Sequence, residues 1–100
     1  MRVEIITQPS GCYKAHLSDS PDWNVFRSIA NTMLKMFDGK VVERIDGLDQ
    51  RYWDIGIRGI ILTLRSETFL GISLYSRDKH ANAVITEVGK YLEMAKADLS

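Results

Sequence analysis

The strongest constraint on the fold is the pattern that begins at Lys40, where apolar residues recur at every second position. Four runs with this period follow one another at short intervals, at residues 41–45, 52–58, 60–65 and 69–75. The connecting pieces Asp46-Gly47, Arg58-Gly59 and Ser66-Glu67-Thr68 belong to links too short for a parallel crossover. The sequence therefore predicts an antiparallel meander of four strands.

Two shorter β-like runs precede this meander. They occupy residues 2–7 and 12–17, and Gln8-Pro9-Ser10-Gly11 lies between them. Pro and Gly favour a tight connection because Pro fixes its backbone angle and Gly accepts left-handed conformations. We therefore predict an opening hairpin.

A first helix is predicted between the hairpin and the meander. Ser20-Pro21 is a typical helix start, since Ser caps free N–H groups and Pro suits the first helical position, and Gly39 is a natural terminator. Apolar residues spaced by three and four form its core-facing stripe. That stripe contains Phe26, Ile29, Ala30, Met33, Leu34 and Phe37.

A second helix is predicted after the meander. Ser76 is its expected cap, Asp78 lies in its first turn, and Lys90 and Lys96 lie toward its end, which we place near Ala95. Its apolar stripe contains Ala81, Val84, Ile85, Val88, Tyr91, Leu92 and Ala95. The order ββαββββα predicts an α+β, two-layer sandwich with a mainly antiparallel sheet and both helices on one face.

Composition limits the chain to one domain and narrows its partners. The chain has 100 residues, of which 45% are hydrophobic, so we expect a single α+β domain over residues 1–100. Thirteen basic and thirteen acidic residues cancel, which disfavours nucleic acid and anionic membranes as partners. Cys12 is the only cysteine, and neither a signal peptide nor a membrane-spanning apolar stretch is found. We therefore expect a cytoplasmic protein.

Strand alternation divides the meander into two faces. One face is strongly apolar, and the two tryptophans, Trp23 and Trp53, are assigned to core packing. The other face is mixed, and such aromatic and arginine side chains on an uncovered sheet are typical of interfaces. An ordinary solvated face is the alternative. The predicted interaction surface contains Tyr52, Asp54, Arg58, Thr63, Arg65, Phe69, Ser73 and Tyr75.

Motifs for catalysis or cofactors are not found. Cys12 and His16 are four residues apart on a predicted strand, but the sequence identifies neither an orienting group nor an oxyanion hole for a nucleophile there. His16 and His80 are isolated, and no glycine-rich phosphate-binding motif occurs. We therefore expect no catalytic residues, no metal and no cofactor.

Between residues 22 and 75 the sequence contains a distinctive pattern of core and turn residues. It consists of Asp22-Trp23, Phe26, Ala30, Leu34, Lys40-Val41-Val42-Glu43-Arg44, Gly47-Leu48-Asp49, Trp53, Glu67 and Gly71-Ile72-Ser73-Leu74. This pattern resembles an uncharacterised family of small gammaproteobacterial proteins. The resemblance implies a bacterial cytoplasmic protein of similar fold, with no reaction implied.

The sequence leaves three functions open. The first is a non-enzymatic module that binds another protein or itself through the open sheet face or a strand edge. The second is a nucleic-acid-binding accessory protein that uses Arg44, Arg58, Arg65 and nearby tyrosines, which zero net charge disfavours. The third is a small enzyme or ligand-binding domain with its site at a dimer interface.

Overall fold

A computed structural model describes residues 1–95 of the chain and contains one six-stranded sheet and two helices. The predicted α+β fold and its order, ββαββββα, are confirmed. A short 3₁₀ turn, Lys79–Ala81, precedes the second helix. The elements are β1 (Glu4–Thr7), β2 (Tyr13–Ser18), α1 (Trp23–Met36), β3 (Lys40–Asp46), β4 (Gln50–Ile57), β5 (Ile60–Glu67), β6 (Gly71–Tyr75) and α2 (Asn82–Met94).

The sheet has the order β1-β2-β6-β5-β4-β3, and every neighbouring pair is antiparallel. The meander β3–β6 is therefore as predicted. The opening hairpin adds to it through β2, which pairs with β6 in a register that places Lys14 opposite Tyr75. β1 and β3 are the two edge strands, and β3 is exposed along its whole length.

Both helices pack on the same face of the sheet, because their apolar stripes meet the inward side chains of the strands. Phe26, Ile29 and Met33 of α1 are fully buried, as are Ile85, Val88 and Leu92 of α2. They share one cluster with Trp53, Ile55 and Ile57 of β4 and with the inward residues of β2, β5 and β6.

The helix starts differ from the predicted ones. Asp22, not Ser20, caps α1, since its carboxylate accepts hydrogen bonds from the N–H groups of Asn24 and Val25 at 2.8 and 3.3 Å. Ser76 does not cap α2. Its hydroxyl donates to the Ile61 carbonyl, while Asp78 caps the 3₁₀ turn by accepting from the His80 N–H. Lys96, predicted near the helix end, lies outside the described residues.

Gly39 ends α1 for a reason other than a left-handed backbone. Asp38 takes the positive φ of 53°, and the Gly39 N–H donates to the Met33 carbonyl at 3.1 Å. A Cβ on Gly39 would lie 2.9 Å from a methyl carbon of Ile55. Gly39 is therefore required because the chain passes close to the sheet where β3 begins.

Candidate interaction surface

The face of the sheet opposite the helices is not covered by any element of the described chain. Cross-strand register places six of the eight predicted residues there, in two rows. Tyr52, Arg65 and Ser73 form one row across β4, β5 and β6, and Asp54, Thr63 and Tyr75 form the next. Ser73 is nevertheless buried by its neighbours, at 3% exposure.

The first row is linked by a polar network around Glu67. The Tyr52 hydroxyl donates to Gln50 Oε1 at 2.9 Å and lies 3.3 Å from Glu67 Oε1. Arg65 Nε lies 3.3 Å from the same Glu67 oxygen, and its guanidinium stacks 5.3 Å from the Tyr75 ring centre. Burial and the nearby Glu67 carboxylate raise the pKa of Tyr52 above its ordinary value. The polar side chains at the centre of the face are therefore hydrogen-bonded or paired with one another.

Exposed apolar side chains lie on the same face, on β3 and β5. Val42, Ile45 and Ile61 are 62%, 56% and 44% exposed. Val42 and Ile61 lie on either side of Gly56, because a Cβ built there would contact both of them. Ile45 lies two rows away, opposite Tyr52, and the row between contains Glu43 and Asp54. Ile45 and Ile61, with Tyr52, Thr63 and Tyr75, line an open depression of about 740 Å³.

The predicted interaction surface contained no residue of β3, so Val42 and Ile45 were missed. Those two belong to β3, whose alternation is broken by a bulge between Val41 and Glu43. The bulge shifts the alternation after Val42, so that Glu43 and Ile45 share the outer face with Val42, opposite Asp54 and Tyr52. The available sequence signal was the position of Val42 and Ile45 on either side of the charged pair Glu43-Arg44.

The predicted placement of Arg58 on this face is wrong. Arg58 and Gly59 are the two central residues of the β4–β5 turn, with φ of 54° and 79°, the geometry typical of a type I′ hairpin. The Arg58 guanidinium lies 2.9 Å from the Glu87 carboxylate of α2. Strand alternation does not extend to this residue, because the hairpin needs two left-handed residues to close.

Phe69 is also not part of a strand. β6 begins at Gly71, whose φ of 78° separates it from Phe69 and Leu70 in the β5–β6 turn. Both side chains are exposed, Phe69 at 95% and Leu70 at 57%, so the strand alternation predicted over residues 69–75 does not hold for these two residues.

The arginines proposed for nucleic-acid binding do not share one surface. Arg44 lies on the helix side, with its guanidinium 4.2 Å from the Trp53 ring centre and 3.2 Å from Asp46. Arg58 lies in a turn against α2, and only Arg65 lies on the open face. Each of the three is paired with a carboxylate. These three arginines therefore do not form a row of unpaired cations that could follow a phosphate backbone.

Two tryptophans and two arginines form a cluster at the rim of the core that the sequence did not reveal. Trp23 and Trp53 are in edge contact at 5.8 Å, and the Arg51 guanidinium stacks 3.9 Å from the Trp23 ring centre. Asp46 accepts a hydrogen bond from Trp53 Nε1 at 2.9 Å and pairs with both Arg44 and Arg51. That indole hydrogen bond and the two guanidinium groups hold the pKa of Asp46 below its ordinary value. The aspartate was predicted to serve only the turn.

Cys12 and His16 have separate environments. Cys12 is buried and precedes β2, whereas His16 Nε2 lies 2.6 Å from the exposed Asp19 carboxylate. Within residues 1–95 no three His, Cys, Asp or Glu side chains converge as a metal site would require. Neither helix described is long and apolar enough to cross a membrane.

The fold is an α+β domain whose six-stranded sheet leaves one face uncovered within residues 1–95. The chain belongs to the family described as "Protein of unknown function (DUF3630)", whose model matches residues 6–93. The predicted resemblance to an uncharacterised family is confirmed to that extent. No curated protein and no solved structure gives a significant match. The family description indicates no specific function.

Proposed function

We propose that this chain is a non-enzymatic module that binds another protein, or a second copy of itself, through the open face of its sheet. The observation that carries the proposal is the exposure of Val42, Ile45 and Ile61 on the uncovered face, where Ile45 and Ile61 line an open depression. Exposed apolar side chains on an uncovered sheet favour association, because their burial removes apolar surface from water.

The neighbouring polar network suits such an interface. Tyr52, Arg65 and Tyr75 are half-buried and already held by Glu67 and by each other. A partner would meet them with little loss of side-chain freedom, which favours affinity. Aromatic and arginine side chains beside an apolar centre are also the composition enriched in interface hot spots. As part of this proposal, we place the protein in the cytoplasm of a bacterium.

The test is capture of partners on the tagged chain from native bacterial lysate, with and without nuclease, followed by mass spectrometry. The double variant Ile45→Ser, Ile61→Ser is compared with a matched control, Met36→Ser, Met94→Ser, which removes exposed apolar side chains from the helices. Light scattering of the pure protein measures self-association. We expect a stoichiometric protein partner, or a dimer, that the sheet variant loses and the helix variant keeps.

Two results would contradict the proposal. Partners retained equally by both variants would show that the open face does not bind them. Partners lost on nuclease treatment would instead favour the nucleic-acid alternative, and that binding should then weaken steeply with added salt.

A further inference from the structure

Three loops meet at one end of the sheet, at residues 18–22, 46–50 and 66–71. Ser18 pairs with Ile72, and the backbone of Asp19 passes beside Gly71, which brings the first loop to the third. The Thr68 N–H and hydroxyl both lie 3.2 Å from the Asp49 carbonyl, which joins the third loop to the second. The loops therefore form one continuous surface at this end.

Large apolar side chains project from two of these loops. Leu48 is fully exposed, at 105%, and Phe69 and Leu70 are exposed at 95% and 57%. We call Leu48, Phe69 and Leu70 the apolar tip. These three side chains project from backbone-joined loops at the same end of the sheet, and several exposed apolar side chains in one region favour a binding site more than a single one does.

The apolar tip is held in place by short hydrogen-bonded turns. The Gly47 N–H donates to the Gln50 carbonyl at 2.8 Å, and the Leu70 N–H donates to the Glu67 carbonyl at 3.3 Å. Each turn therefore presents its apolar side chain from a defined backbone. Such preorganised projections suit insertion into a concave apolar pocket rather than contact with a flat surface.

The charged residues around the apolar tip indicate the kind of partner surface that would fit it. The three loops contain no Lys or Arg, and they contain Asp19, Asp22, Asp46, Asp49 and Glu67. Asp46 and Glu67 are paired with arginines of the strands, and Asp22 caps α1. The fully exposed Asp19 carboxylate lies 2.6 Å from His16 Nε2, and Asp49 has no ion pair within residues 1–95. These two exposed carboxylates disfavour anionic lipid, and a symmetric contact with a second copy would place like charges together.

We propose that the apolar tip docks into an apolar pocket of a partner protein whose rim carries Lys and Arg. This site is separate from the open sheet face, because the tip lies on the loops at the end of the sheet. The apolar side chains supply the contact, and Asp19 and Asp49 supply attraction and orientation.

Site-specific photocrosslinking tests the docking. p-Benzoylphenylalanine replaces Phe69, an analogue of similar ring character, in the full chain, which is then irradiated in native bacterial lysate. The same analogue at Ala83, an exposed position on α2, is the control. We expect one protein adduct that is specific to position 69 and maps by mass spectrometry to an apolar pocket bordered by Lys or Arg.

Further variants separate this docking from the proposed function. Leu48→Ser, Leu70→Ser should abolish the adduct, and Asp19→Asn, Asp49→Asn should lower its yield by about fivefold at low salt. Ile45→Ser, Ile61→Ser on the open face should leave it unchanged. Crosslinking only to lipid or to a second copy, an adduct equal to that at Ala83, or an adduct insensitive to Asp19 and Asp49 would overturn the proposal.

Discussion

At the scale of residues, Asp46 shows how one carboxylate ties an edge strand to the rest of the molecule. It ends β3, accepts from Trp53 of β4, and pairs with Arg44 and Arg51. Those two arginines lie over Trp53 and Trp23, so the same groups contact β3, β4 and α1. The edge strand β3, which is exposed along its whole length, is therefore held by the Asp46 carboxylate and by arginines stacked on two tryptophans.

Replacing Asp46 should weaken this attachment. We expect Asp46→Asn to lower the free energy of unfolding by about 1 kcal/mol, the usual cost of a partly exposed charged hydrogen bond. Urea denaturation at pH 7 measures this difference in the free energy of unfolding. The matched control is Asp49→Asn, because the Asp49 carboxylate makes no hydrogen bond or ion pair within residues 1–95. Equal stabilities for the two variants would contradict the role given to Asp46.

The same carboxylate should contribute a pH dependence. Its pKa in the folded chain is below the ordinary 3.8, chiefly because Trp53 donates to the charged form. Its stabilisation is therefore fully present above pH 3.8 and is lost as the pH falls through the lower folded value. Unfolding curves across that acid range should converge for the wild type and Asp46→Asn, and a constant difference would contradict this assignment.

Substitution of Gly71 and of Gly59 separates the cost of a left-handed backbone from the cost of a steric clash. Both have positive φ, 78° and 79°, but a Cβ on Gly71 would overlap the Ser18 carbonyl, whereas nothing lies within 4 Å of one on Gly59. We expect Gly59→Ala to cost about 1 kcal/mol and Gly71→Ala to cost more than about 3 kcal/mol. Thermal unfolding of both variants decides this. Similar losses of stability would contradict this, because they would mean that Ser18 of β2 moves away from Gly71 of β6 without a cost in free energy.

At the scale of elements, α1 illustrates what a sequence pattern fixes and what it leaves open. Its stripe of Phe26, Ile29 and Met33 predicted the buried face correctly, because helical spacing depends on local geometry. Its first residue was misplaced by the Ser20-Pro21 pair. Asp22 is the cap, since the chain first has to pass Gly71 before it turns into the helix.

This cap is directly testable. Asp22→Ala should lower the free energy of unfolding by about 1 kcal/mol, because two N–H groups at the helix start lose their acceptor. Ser20→Ala should cost less than about 0.5 kcal/mol. Chemical denaturation of the two variants gives the comparison, and a larger loss for Ser20→Ala would restore Ser20 as the cap.

The strands were predictable in number and direction, whereas parts of the candidate surface were not. Alternation placed Tyr52, Thr63 and Tyr75 on the outer face because side-chain direction along a strand is local. It failed for Arg58, where a type I′ turn intervenes, and at β3, where a bulge adds a residue. The loops at residues 18–22, 46–50 and 66–71 come together because strands distant in the sequence pair with one another. A single sequence does not reveal that pairing.

At the scale of the whole molecule, one core connects both helices to the sheet. Leu92 of α2 and Trp53 of β4 belong to the same buried cluster, although they lie on different elements. The edge strands and loops add to this core without forming a second one among residues 1–95. Cooperative unfolding of the whole domain follows from this arrangement.

A mutation far from the tryptophans should therefore move every probe of unfolding. We expect Leu92→Ala, which empties a fully buried site, to cost about 2–5 kcal/mol and to shift tryptophan fluorescence and far-ultraviolet circular dichroism to the same new midpoint. Lys90→Ala, an exposed neighbour, should leave the midpoint within error. Separate midpoints for the two signals would indicate independent unfolding of α2.

The sheet order also has a consequence for synthesis of the chain. β2 pairs with β6, yet α1 and three strands are translated between them. While the chain is on the ribosome, β2 therefore lacks its inner neighbour, and the apolar side of α1 has only part of its final sheet to cover it. The nascent protein keeps these surfaces open until its last strand emerges, and β6 then closes the sheet from within.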